Sequence, residues 1–104
     1  MKFKHDVRLF GARPEMIWAA LTAGQVYREL DNYDNFVVTS VRDGTHKRGS
    51  DHYVGNAIDI RVWDFTDAQR AKAADMIAER LTDEYEVFDE GDHIHIGFDV
   101  QTLK

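Results

Sequence analysis

Residues 85–98, Tyr-Glu-Val-Phe-Asp-Glu-Gly-Asp-His-Ile-His-Ile-Gly-Phe, read as two strands folded back over a turn. Tyr85–Phe88 and His93–Phe98 have strand composition, and Asp89-Glu-Gly-Asp92 between them supplies the reversal of a hairpin. A second stretch, Ala57-Ile-Asp-Ile-Arg-Val62, shows the two-residue period of a half-buried strand. There Ile58, Ile60 and Val62 point one way while Asp59 and Arg61 point the other. In the last strand Ile94, Ile96 and Phe98 oppose His93 and His95 in the same manner. Packing the apolar faces on helices leaves Asp59, His93 and His95 together on the far side of a small sheet.

Outward from these strands, the helices are legible too. Pro14 and Glu15 mark a helix start, and Ile17, Ala20, Leu21, Tyr27 and Leu30 recur at roughly helical spacing, which predicts a helix over 14–30 that Gly24 weakens. Asp31–Asn35 is a turn, and Phe36–Val41 is a β-branched strand. Arg42 to Val54 is polar and reads as a long loop. Thr66-Asp-Ala-Gln69 has the form of a capping box for a helix over 67–82, with Ala71, Ala74, Ile77, Ala78 and Leu81 as its apolar stripe. The order helix, strand, strand, helix, strand, strand predicts an α+β fold, a small, mostly antiparallel sheet packed against two helices. Without repeats, low-complexity tracts or linkers, residues 1–104 are expected to form one domain. Core packing is the expected place of Trp18 and Trp63, with lining of a groove, together with Tyr53, as the alternative.

Composition narrows the chemistry. The chain has 104 residues, 43% of them hydrophobic, enough for one core and unlike a disordered segment. Its net charge of −6 argues against a nucleic-acid binder or a basic membrane-surface protein. Zero cysteines exclude thiol catalysis, iron–sulfur clusters and every cysteine zinc site, so histidines and carboxylates must hold any metal. The charged N-terminus, MKFKHDVRLF, has no apolar core of a secretory signal, and no run is long enough to span a membrane, which predicts release in the cytoplasm of the producing cell. The acidic charge is concentrated after residue 50, and six of the ten residues from Asp83 to Asp92 are acidic. That run reads as a solvated edge, or as carboxylates bordering a cationic centre.

His52 stands seven residues before Asp59, in the loop that feeds its strand. Two histidines and a carboxylate with an open fourth position make a catalytic zinc arrangement. His5 and His46 read as ordinary surface residues. The stretch Ser50-Asp-His-Tyr-Val-Gly-Asn-Ala-Ile-Asp59, S-x-H-x-x-G-x-A-x-D, resembles the signature of the zinc D-Ala-D-Ala carboxypeptidases and of the phage L-alanyl-D-glutamate endopeptidases, in the superfamily that includes the hedgehog signalling domain. Asp92-His-Ile-His95 is similar to the family's second element, a short strand carrying H-x-H.

This resemblance implies a hedgehog/DD-peptidase-like fold with Zn²⁺ held by His52, Asp59 and His95. It implies Asp92 as the general base, with Glu90 as the alternative, and His93 beside the metal as a stabiliser of the oxyanion. It implies Arg42, after Thr39-Ser40-Val41, as the residue that takes a substrate carboxylate. By alternation Asp92 faces away from both histidines, so the base role requires the Glu90-Gly91 turn to release it from strand geometry. The expected activity is hydrolysis of peptide bonds in peptidoglycan stem peptides, as carboxypeptidase or endopeptidase, in phage lysis or host penetration, with the cell wall reached after release. The other expectation is a non-catalytic zinc module, a binding or virion structural protein that needs neither base nor Arg42. Zinc is not the sole fit, since mixed N/O ligation admits other divalent ions.

Overall fold

The structure is a computed structural model that describes residues 2–3, 14–42 and 57–98. Its elements, in chain order, are β1 (Lys2–Phe3), α1 (Pro14–Glu29), β2 (Val37–Arg42), β3 (Ala57–Arg61), α2 (Asp67–Arg80), β4 (Tyr85–Asp89) and β5 (His93–Phe98). A short 3-10 turn, Tyr33–Asn35, lies between α1 and β2. The sheet order is β1-β2-β3-β5-β4. Its four longer strands pair antiparallel, and β1, which the sequence did not announce, adds a two-residue parallel edge. The architecture is the expected small α+β fold, with both helices packed against one face of the sheet.

Parity governs that packing. Ile58, Ile60, Ile94 and Ile96 are fully buried, and they join Met16, Ala19, Ala23, Val26 and Tyr27 of α1 and Ala73 and Ile77 of α2 in one core. Each such isoleucine gains about 1.5–3 kcal/mol from leaving water. A register shift between Val38 and Ser40 makes room in β2 for one extra residue. Val38 and Val41 are three apart and could not share a face of a regular strand; the bulge turns both toward the core.

α1 buries only part of the expected stripe: Ala20 and Tyr27 are in the core and Leu30 packs against it. Ile17 and Leu21 are exposed, while the buried side is lined by Met16, Ala19, Ala20, Ala23 and Val26. Small residues let the helix approach the strands closely, and at Gly24 a Cβ would come within 3.1 Å of the Phe36 ring. Neither tryptophan is in the core: Trp18 is 58% and Trp63 60% exposed. α2 begins as the sequence predicts, with Thr66 accepting from the Gln69 amide and Gln69 accepting from the Thr66 amide. Its expected Ala74, Ile77 and Leu81 are buried, but Ala73 takes the place of Ala71 and Ala78. The two helices are tied by Arg80, which donates to both carboxylate oxygens of Glu29 at 2.6 and 2.8 Å. No helix among the described residues is long and apolar enough to cross a membrane.

Two outcomes follow from this packing. Ile60→Ala removes a buried side chain at the centre of the sheet and should cost about 2–5 kcal/mol of unfolding free energy in urea titration. Arg70, at the start of α2, donates to Asp67 and to Asp89 of β4, and its hydrogen bond holds the Asp89 carboxyl below the usual range. A folded value below the unfolded one means that this stabilisation is complete above about pH 4 and disappears as pH falls through the folded value. Arg70→Gln should therefore lower the urea midpoint at pH 7 and converge with the wild type in acid. A gap that stays undiminished in acid would assign the effect to packing instead.

Candidate functional site

The sheet face turned away from the helices collects the polar side chains of β3, β4 and β5. Asp59 and His95 are direct cross-strand partners, as are Arg61 and His93. His95 Nδ1 donates to Asp59 Oδ1 at 3.0 Å, since a carboxylate can only accept. His93 Nε2 lies 3.7 Å from the same oxygen. On the other side of His95, Phe88 of β4 stacks against the imidazole with centroids 6.0 Å apart. Thr39, in the β2 bulge, donates to the carbonyl of Asp59 at 3.4 Å and steadies the strand there.

Asp92 does not follow the pleat. Gly91 adopts a positive φ of 92°, which glycine reaches without a Cβ penalty, and the bend delivers Asp92 beside its neighbour. Its Oδ1 accepts from His93 Nδ1 at 2.6 Å, although the carboxylate is 90% exposed. The hydrogen bond from His93, reinforced by the imidazole's charge, holds the Asp92 carboxyl below the usual range. The turn thus releases Asp92 from strict alternation and sets it against His93. Glu90 closes the hairpin through its backbone amide, which donates to the carbonyl of His93.

Glu86 was not singled out by sequence reasoning. It occupies the position of β4 that faces the same side as Phe88, and its Oε2 lies 3.9 Å from His95 Nε2. Gly97, its cross-strand partner, makes the approach possible. A Cβ at Gly97 would meet Glu86 Cγ at 3.1 Å and His95 Nε2 at 3.2 Å. The available signal was parity: Glu86 and Phe88 alternate with Tyr85 and Val87, both of which pack on the core. The result is a line of alternating carboxylates and imidazoles, Asp92–His93–Asp59–His95–Glu86, across three strands.

Of the expected site residues, the structure brings together Asp59, His93, His95 and Asp92. His52, the third expected ligand, lies outside the described residues, as do Tyr53 and the rest of the Ser50–Asn56 part of the motif. Arg42 ends β2 opposite Ala57, toward the other end of β3 from Arg61. Among the described residues no group of three or more His, Asp or Glu side chains is arranged to hold a metal ion. Imidazole and carboxylate are donor types that zinc takes, and as placed Asp59 and His95 are joined to each other by a hydrogen bond.

No protein-family model matches the chain, and comparison with curated proteins and with solved structures gives no significant match.

The space left by Gly97 can be tested directly. Gly97→Ala should cost about 1–3 kcal/mol through overpacking, and should shift the imidazole resonances of His95 in NMR spectra as the ring moves from Glu86. Unchanged His95 resonances would mean that the ring does not depend on that space.

Proposed function

We propose that this face is the active site of a zinc metallopeptidase that hydrolyses peptide bonds in bacterial peptidoglycan. The observation that carries the reading is the meeting of Asp59 and His95. They are 36 residues apart in the chain, both belong to the motif that resembles the family, and they lie 3.0 Å apart as cross-strand partners. His52, Asp59 and His95 would hold the ion. Bound there, zinc supplies Lewis acidity and a water whose pKa is near 7.

The chain's own groups then have separable tasks. Asp92 would accept a proton from water and return it to the leaving amine, the role that the family resemblance assigns to it. Its hydrogen bond fixes the His93 ring so that Nε2 faces the Asp59 side, where a protonated imidazole can donate to the oxygen of a tetrahedral intermediate. Asp59 accepts from His95 Nδ1 and Glu86 stands at the opposite nitrogen; ligation by both Asp59 and His95 would exchange their mutual hydrogen bond for bonds to the ion. Glu90 is the alternative base, and Arg42 the residue that the family resemblance assigns to the substrate carboxylate. In this reading the enzyme is made in the cytoplasm of a producing cell and acts on the wall after release, in phage lysis or host penetration.

Metal analysis of the purified protein and peptide release from purified peptidoglycan test the proposal together. Stoichiometric zinc is expected in the wild type and its loss in His95→Ala. Asp92→Ala should keep the metal and lose roughly 10²–10⁴-fold in rate. Wild-type protein without zinc would remove the reading. Zinc without hydrolysis would favour the non-catalytic binding module, and an unimpaired Asp92→Ala would move the base to Glu90.

A further inference from the structure

Beside the carboxylate–imidazole line, β3 carries a cation that no carboxylate among the described residues pairs with. Arg61 follows Asp59 by two residues, shares its face of the sheet and is paired across strands with His93. Its guanidinium lies over the ring of Trp63, 3.6 Å from the centroid. Arg70 and Arg80 are both engaged by carboxylates, Arg70 by Asp67 and Asp89 and Arg80 by Glu29. Among the described residues, none of the ion pairs or hydrogen bonds involves the Arg61 guanidinium. The nearby carboxylate of Asp64 is instead occupied by the side-chain amide of Asn35, at 2.9 Å.

The backbone under this pair is held from the core. The hydroxyl of Tyr27, a fully buried residue, donates to the carbonyl of Arg61 at 2.6 Å. The amide of Asn32, one of the two buried polar residues among those described, donates to the carbonyl of Trp63 at 2.9 Å. Two interior polar groups therefore fix the two residues of an exposed platform. Stacking occupies one face of a guanidinium and leaves its in-plane N–H groups free, the geometry that pairs bidentately with a carboxylate. The exposed indole beside it offers an apolar surface for the chain that carries such a group.

We propose that Arg61, seated on Trp63, is the subsite that binds the free carboxylate of a peptide ligand on this face. The nature of the ligand rests on the peptidase reading; the cationic platform itself does not. Arg61 and Arg42 lie toward opposite ends of β3, so the two assignments place the carboxylate on opposite sides of Asp59. The subsite predicts selectivity for a ligand with an ionised carboxyl group over its neutral amide.

The test titrates the protein with N-acetyl-D-alanyl-D-alanine and with its C-terminal amide, following the Trp63 indole N–H cross-peak by NMR. The acid should bind about 10- to 100-fold tighter than the amide. Arg61→Gln should abolish that preference, and Arg61→Lys should restore part of it. Equal binding of acid and amide, binding of neither, or a preference that survives Arg61→Gln and is lost in Arg42→Gln would each overturn the subsite. Acid-selective binding through Arg61 without any peptide release from peptidoglycan would keep the subsite and remove the peptidase reading. Peptide release with no acid selectivity would do the reverse.

Discussion

Ile58, Ile60, Ile94 and Ile96 lock β3 against β5 in one register, because a slip of one residue would turn two of them on either strand from the core to the open face. That register sets Asp59 opposite His95 and Arg61 opposite His93. The polar pairing is therefore a by-product of an apolar one: the isoleucines choose the alignment, and the carboxylate and imidazoles inherit it. The single hydrogen bond between Asp59 and His95 would be too weak to impose the alignment unaided.

The helices support this arrangement by being thin where they meet the sheet. Alanines on α1 and α2 admit close approach, and Gly24 accommodates Phe36. Larger apolar residues of α1 remain outside, where Trp18 and Leu21 border a groove of about 260 Å³ with Thr22, Gln25 and Arg80. Side-chain hydrogen bonds link the layers: Tyr27 donates to the carbonyl of Arg61 and Asn32 to that of Trp63, while Tyr85 of β4 donates to the carbonyl of Glu15 in α1. Each joins segments distant in sequence, and the first two brace the end of β3.

The strands and the cap of α2 were legible because their signals are local. Alternation in Ala57–Val62 and His93–Phe98 needs no knowledge of the neighbours, and a capping box closes within four residues. The buried face of α1 was read correctly at Ala20 and Tyr27 and misread at Ile17 and Leu21, because counting large apolar residues favours those two, whereas close packing selected Ala19 and Ala23. The tryptophans were misplaced for the same reason. At the site, parity was sufficient for Asp59, His93 and His95. Asp92 required the backbone turn at Gly91, and Glu86 required knowing which strand lies beside β5 and that Gly97 leaves room for it. The structure of β1 depends on a long-range parallel pairing that two residues cannot announce.

The alternation along β3 and β5 also divides labour between neighbouring residues of one strand. Every inward position serves cohesion, and every outward one is mounted on hydrogen-bonded backbone whose spacing does not depend on which side chain it carries. A face of that kind can be rewritten residue by residue while the scaffold beneath persists. Divergence among chains sharing this sheet would then fall on alternate positions, with ligand preference drifting while the interior stays nearly constant.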